Sequence, residues 1–223
     1  YGVRDRRTDR PRQVKQPLTD QVRRAHIEGR LHIGVYPLVE DRTWFVAADF
    51  DDNDAGPPTE FLSVATHYDL PCLLEASKSR GWHVWIFFKD PGVAAWKARA
   101  VTHRILNEIG YPTTEVFPKQ DRLGPDCRYG NFIFCPLFGG LTGVNRTVFV
   151  DPMTMQPVTD QWAMLANMSM VDESHLDDLI DVNELQPAPT PADHPVIPQS
   201  SDLLQTFGLK PCAQRMLAQG VTH

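Results

Sequence analysis

Only four cysteines occur in 223 residues, and no two form a CxxC pair. Cys72, Cys127, Cys135 and Cys212 therefore supply neither a disulfide framework nor a zinc-ribbon spacing. A zinc site built from Cys127, Cys135 and a histidine is the weaker reading; ordinary buried thiols in a reducing cytoplasm are the stronger. No apolar run reaches the roughly 18 residues of a membrane-spanning helix. The arginine-rich N-terminus lacks the apolar h-region of a secretory signal. There is no internal repeat. Positive charge is also short overall: the net charge of −6 argues against general affinity for nucleic acid.

What is present describes a globular chain, 42% hydrophobic and 22% charged. A chain of this length buries roughly 70% of its unfolded surface, so its core needs no disulfide or structural metal. Charge is segregated along it. Residues 1–30 carry nine Lys/Arg against four Asp/Glu, residues 31–146 eleven against fourteen, and residues 147–223 two against ten. A basic segment thus precedes a nearly neutral centre and an acidic C-terminal part. Such a basic segment reads either as a solvated tail or as a phosphate contact.

Periodicity and punctuation predict the elements. Residues 1–18 read as a basic, flexible arm. Thr19 caps a helix to about Glu28, stopped by Gly29. LHIGVYPL (31–38), TWFVAADFD (43–51), LPCLLEAS (70–77), WHVWIFF (82–88) and RTVFVD (146–151) read as strands, and RYGNFIFCPLF (128–138) contains one. Helices are predicted over 59–67 and 92–109, with one or two short acidic helices over 159–184. TEVFP (114–118) begins an irregular stretch, and GGLTG (139–143) is a glycine-rich turn. Residues 186–200 form a proline-rich linker, followed by a C-terminal helical segment, 201–223. Strands and helices mix without strict alternation, which predicts an α+β fold with a central sheet, its main domain spanning 19–185.

Three sites carry chemistry. Asp49-Phe50-Asp51 ends an apolar strand, where residues i and i+2 share a face, so both carboxylates project together while Phe50 enters the core. Adjacent carboxylates repel unless a cation sits between them, and Mg²⁺ or Mn²⁺ prefer such oxygen ligands. Taken alone the pattern is common in glycosyltransferases, phosphatases and loops. Ser77-Lys78-Ser79-Arg80-Gly81-Trp82-His83 is a basic turn entering a strand, where hydroxyls, main-chain N–H groups, Arg80 and His83 can converge on a phosphate chain. A lone strand histidine is more often structural, but this one opens a very apolar strand. Finally, Val148-Phe149-Val150-Asp151 ends an apolar strand in an acid, either a turn initiator or a third metal ligand. Three carboxylates from two strands would hold two cations about 3.5–4 Å apart.

In this order, DxD, then S-x-G-x-H, then hydrophobic-Asp resembles motifs I, II and III of the archaeo-eukaryotic primase superfamily. HIGVYPLVEDRTWFVAADFD, SRGWHVWIFF, EVFPKQDRL, YGNFIFCPL and NRTVFVDP followed by DQW are similar to primase-polymerases of bacterial mobile and conflict-system operons, including CRISPR-associated ones. The likeness spans roughly residues 20–185. It implies an N-terminal α/β module plus an RNA-recognition-motif-like sheet module, with the active site in the cleft between them. It implies Asp49, Asp51 and Asp151 as catalytic metal ligands, and His83 on the phosphates of the incoming nucleotide. Ser79 stands where the motif serine does. Arg80, Lys119, Asn131 and Arg146 are candidates for holding the triphosphate. The cysteine/histidine zinc cluster of some superfamily members has no counterpart in the cysteine spacing.

The implied activity is a DNA-dependent primase-polymerase: two-metal transfer of dNTP or NTP to a 3′-hydroxyl on single-stranded DNA, with or without a primer. Trp44, Trp82, Trp85 and Phe138 are available for stacking a template, although most aromatics at strand positions are core. Expected partners are template, primer and nucleotides, with a helicase or CRISPR adaptation proteins encoded nearby. The expected setting is a cytoplasmic monomer, without membrane attachment, in a bacterium or mobile element. The linker and tail predict a further helicase-like or primase C-terminal region. Competing readings are a gap-filling or translesion polymerase that cannot prime, a metal-dependent nuclease or replication-initiator domain, a non-catalytic nucleic-acid-binding module, and a nucleotide-sugar transferase. Initiators use a His-hydrophobic-His pair, but Trp85 occupies the partner position of His83. The sugar transferase leaves His83 and Asp151 without a role.

Overall fold

Alternation along Phe45–Phe50 decides the architecture. Val46, Ala48 and Phe50 are buried on one side of this strand, while Phe45, Ala47 and Asp49 take the other. The computed structural model describes residues 1–4, 10–124 and 129–187, which belong to one compact unit. In chain order the elements are β1 (Gly2–Arg4), β2 (Pro11–Gln13), α1 (Asp20–Ile27), β3 (Ile33–Val35), β4 (Leu38–Val39), β5 (Arg42–Thr43), β6 (Phe45–Phe50), α2 (Gly56–His67), β7 (Leu73–Ala76), β8 (Trp82–Phe87), β9 (Val93–Ala94), α3 (Ala95–Glu108), β10 (Glu115–Phe117), β11 (Ile133–Phe134), α4 (Gly139–Thr142), β12 (Val148–Val150), α5 (Gln161–Ala166) and α6 (Glu173–Asn183). The expected α+β mixture with a central sheet is what forms.

The central sheet has the order β10-β6-β8-β7-β12, and every neighbouring pair is antiparallel. Helices cover one face. Phe61 and Ala65 of α2, Ala98, Val101, Ile105 and Leu106 of α3, and Leu176 and Ile180 of α6 pack against Val46, Phe50, Val84 and Ile86. The α3 residues recur at helical spacing, which makes one apolar stripe. Pro57 and Pro58 start α2, where missing N–H groups cost nothing. On the opposite face, Ala47, Trp85, Phe117 and Phe149 form a second apolar cluster with Ile133 and Leu137. That face carries Asp49, His83 and Glu75.

A second sheet, β11-β3-β1-β2, supplies Ile133 to this cluster. Its composition corrects the expectation of a flexible arm over 1–18. β1 pairs with both β2 and β3, so the described part of that segment is woven into a sheet. Pro-Arg-Gln has no strand pattern; pairing with a neighbour overrides weak local preference. TEVFP also contains a strand, β10, where an irregular stretch was expected, and GGLTG contains the short helix α4. Among the described residues no helix is long and apolar enough to cross a membrane. The linker beyond residue 187, the segment 201–223, Cys127 and Cys212 lie outside the described residues. Cys72 and Cys135 are free thiols, both pushed upward by burial, Cys135 to about 12.

Glu173, at the start of α6, ties this helix to the small sheet β4-β5-β9 and to α3. Its carboxylate accepts from Arg42 (2.6 Å) and from the Ala94 N–H (3.1 Å), and lies 3.1 Å from Lys97 Nζ. Partial burial would raise its pKa, but these donors outweigh that and hold it at about 2. The folded value is thus below the unfolded one, so the stabilisation is present above the ordinary carboxyl range and fades as pH falls from about 4.5 towards 2. Glu173→Gln should therefore cost about 1–3 kcal/mol at pH 7. In urea unfolding, that gap between wild type and variant should narrow below pH 4.5 and have nearly closed at about pH 2.

Candidate active site

Register lays a row of polar side chains across the otherwise apolar face of the central sheet. Asp49 of β6 stands opposite His83 of β8, and His83 opposite Glu75 of β7. Paired residues in an antiparallel sheet share a face and lie within side-chain reach. His83 Nδ1 is 2.8 Å from Glu75 Oε2, and His83 Nε2 is 3.3 Å from Asp49 Oδ1. The Trp85 indole N–H donates to the same Glu75 oxygen at 2.7 Å. Glu75 is only 1% exposed and His83 8%. Burial alone would lower the His83 pKa. The neighbouring Glu75 charge, with hydrogen bonds to Asp49 and Glu75, overcomes it and raises the value to about 10. At neutral pH His83 is thus an imidazolium between two carboxylates.

Beyond the row, Asp51 leaves β6 into solvent beside the turn 77–81. Ser77 shapes this turn: its hydroxyl donates to the Arg80 carbonyl at 2.7 Å, and its N–H to the Gly81 carbonyl at 3.1 Å. Gly81 has φ +89, and a Cβ there would collide with the Phe50 carbonyl oxygen. A glycine is required for the turn to close against the DxD strand. The turn then presents Ser79 and Arg80, both exposed, at the rim of the same cleft.

That cleft has a volume of about 490 Å³ and lies between the two sheets. Seven of the nine residues singled out in the sequence line it: Asp49, Asp51, Ser79, Arg80, His83, Lys119 and Asn131. Lys119 is paired with Glu115 at 2.7 Å and sits 5.0 Å from the Phe117 ring centroid. Asn131 is exposed.

Two residues are not brought there. Arg146 is half-buried outside the lining, which the next residue, Thr147, joins instead. Asp151 was expected to meet Asp49 and Asp51, and the sheet order prevents it. β12 lies three strands from β6 and runs antiparallel to it, so Asp151 emerges at the opposite end of the sheet from Asp51. Three strand spacings of about 4.8 Å separate them laterally. Asp151 is fully exposed and accepts from the N–H groups of Met153 (2.8 Å) and Thr154 (2.9 Å), which lower its pKa. It initiates a turn.

Sequence reasoning missed two acids. Glu115 of β10 is the register partner of Asp49 on its other side, which makes it the acid nearest in register to the DxD pair. Glu75 is the second. A charge in the middle of a buried strand was its available signal, because such a charge must be paired. Among the described residues no three His, Cys, Asp or Glu side chains converge closely enough to cage an ion. Asp49 and Asp51 in an open cleft nevertheless fit a hard cation completed by substrate oxygens, the usual manner for Mg²⁺.

Residues 4–179 match the sequence model of a family described as the archaeo-eukaryotic primase domain of the TOTE conflict system. A comparison with curated proteins found no match.

Proposed function

The chain belongs to the archaeo-eukaryotic primase domain family of TOTE conflict systems, and from that premise we propose that it is a metal-dependent primase-polymerase, joining dNTPs or NTPs on a single-stranded DNA template. The observation that carries this reading is the Asp49–His83–Glu75 row, opening beside Asp51 and a basic turn into one cleft. The chain order β6-α2-β7-β8-α3-β10 with lateral order β10-β6-β8-β7 supports an RNA-recognition-motif-like module. The β11-β3-β1-β2 sheet is then the wall contributed by the N-terminal module.

In this reading Asp49 and Asp51 would hold Mg²⁺ or Mn²⁺ together with substrate oxygens, and Glu115, the register partner of Asp49, would be the supporting acid in place of Asp151. Bound cations would supply charge neutralisation at the triphosphate and activation of the 3′-hydroxyl. The protein's own groups position the substrate. Glu75 anchors His83 Nδ1 and so fixes the direction of Nε2–H, which donates to a phosphate oxygen in place of Asp49. The Ser79 hydroxyl and the Arg80 guanidinium donate from the rim, the latter suited to bidentate contact. Lys119 exchanges Glu115 for phosphate as the nucleotide arrives. Attack of the 3′-oxygen on the α-phosphorus breaks the bond to the β-phosphate oxygen, and pyrophosphate leaves with the charge. Positioning and electrostatics supply most of the acceleration.

Incubation with single-stranded DNA, Mn²⁺ or Mg²⁺ and labelled dNTPs or NTPs, with and without primer, tests the proposal. Products in both arms are expected. Products only with primer would favour the gap-filling alternative, and none in either would reject polymerase activity. Against the nuclease reading, the Trp85 indole is committed to buried Glu75. The same assay separates the acids: Glu115→Gln should lose about ten- to a hundredfold, whereas Asp151→Asn should retain wild-type incorporation. The reverse result would return the third position to Asp151.

A further inference from the structure

The wall of the cleft facing the carboxylates is aromatic, and one ring on it has been given a floor. Gly2 of β1 and Gly34 of β3 are register partners, so their missing side chains would project to the same side of the sheet. Over that vacant pair lies Phe132. A Cβ built at Gly2 would be 2.5, 2.5 and 2.6 Å from its Cδ1, Cγ and Cδ2 atoms. Near-equal distances to three consecutive ring atoms put that point above the ring's face, not at its edge. A Cβ at Gly34 would also collide with the ring, at its Cδ2–Cε2 side. Two glycines in strands weaken pairing and leave nothing to pack, a cost usually tied to close approach of another group. Here the approaching group is the flat of Phe132.

Two further aromatic rings meet it steeply. Phe134 meets it at 89° with centroids 5.3 Å apart, and Tyr36 at 75° and 5.7 Å. Lys78 Nζ lies 4.4 Å from the Phe134 ring centroid, so that neighbour already has a cation on it. Phe132 is half-buried and lines the same cavity as Asp49, Asp51 and His83. One face rests on the backbone of two strands while the ring still borders open cleft. A buried core phenylalanine would need neither the glycine floor nor access to the cavity.

We infer that Phe132, seated on the Gly2–Gly34 pair, is a stacking platform for a nucleobase held in the cleft. The inference rests on the nucleotide reading above and adds a base-binding element to a site otherwise built for phosphate. The base belongs either to a free nucleoside triphosphate or to a nucleic-acid strand, and both offer the same π face.

Equilibrium binding to the full chain with Mg²⁺ present tests it, using dATP, inorganic triphosphate and a single-stranded oligonucleotide as separate probes. Phe132→Leu keeps apolar bulk and removes the π face. It should weaken dATP or oligonucleotide binding about 5- to 100-fold, the range that one stacked base contributes. Inorganic triphosphate, which has no base, should bind Phe132→Leu as it binds wild type, and Phe132→Trp should restore the lost affinity. Loss for dATP assigns the platform to the free nucleotide; loss for the oligonucleotide alone assigns it to the strand. Gly2→Ala, whose Cβ has only Phe132 ring atoms as its nearest neighbours and so displaces the ring without altering it, should reproduce the loss and serves also if Phe132→Leu does not fold. Unchanged binding of both base-containing probes by both variants overturns the platform and leaves the nucleotide reading standing. If wild type binds none of the three probes, that reading fails and the platform with it.

Discussion

Replacing Asp51 with asparagine is expected to reduce nucleotide incorporation by on the order of a thousandfold or more, with the thermal midpoint nearly unchanged. Asp51 is exposed at the end of β6 and lines the cleft, so its substitution removes a negative oxygen donor without opening the core. Surface substitutions of this kind usually change stability by less than about 0.5 kcal/mol. Asp49→Asn is a less clean probe, because Asp49 also sits 3.3 Å from His83. Primer-extension rates at saturating nucleotide and Mn²⁺, beside a thermal melt, provide the measurement. Incorporation at the wild-type rate by folded Asp51→Asn would remove the DxD pair from the mechanism.

The largest effect on stability is expected at Glu75. It is a fully buried carboxylate whose one oxygen serves both the His83 ring and the Trp85 N–H. Glu75→Gln retains the shape but removes the fully buried anion, leaving the His83 imidazolium only the more distant and more exposed Asp49. Breaking a buried pair from one side costs about 3–5 kcal/mol, because the orphaned charge keeps its desolvation penalty. Urea unfolding at pH 7 should show most of that loss. In Glu75→Gln/His83→Gln the orphaned charge is gone, so the double variant should lose less than the sum of the singles. Additive losses would mean that the two side chains are independently buried and not a pair. The nucleotide KM of Glu75→Gln should also rise, since His83 Nε2 would lose its fixed direction.

Alternation and punctuation in the sequence located most of the central sheet. β6, β7, β8 and β12 fall inside predicted runs and α3 inside a predicted helix, while α2 begins three residues before the predicted one, because these segments bury one or both faces and carry a strong apolar period. β10 was missed for a physical reason. It has three residues, begins with Glu115 and is cut off by Pro118, so no period can develop. Its pairing with β6, which sets Glu115 beside Asp49, is a long-range fact that no local pattern carries. Asp151 has the local features of a strand-end ligand, but strand order determines whether strand ends meet, and local pattern does not encode order. β1 and β2 were missed similarly: their residues are ordinary in a loop and become strands only when β3 pairs with β1 and β1 with β2. The DxD spacing and the basic turn were legible because both are local, one set by a period of two and the other by Gly81.

The ion pairs within the chain at the cleft bear on how the site fills. Lys119 rests on Glu115 and the His83 ring bridges Asp49 and Glu75, so each of these carboxylates already has a cationic neighbour supplied by the chain itself. These internal counter-ions leave the acidic cluster charge-paired in the folded chain, so that on the proposed reading loading of a divalent ion would be an exchange of partners in place of a simple attraction. On the proposed reading, Lys119 would give up Glu115, and His83 Nε2 would give up Asp49, for incoming phosphates as the acids accept divalent ions, which would couple arrival of the two ligands through the protein's own cations.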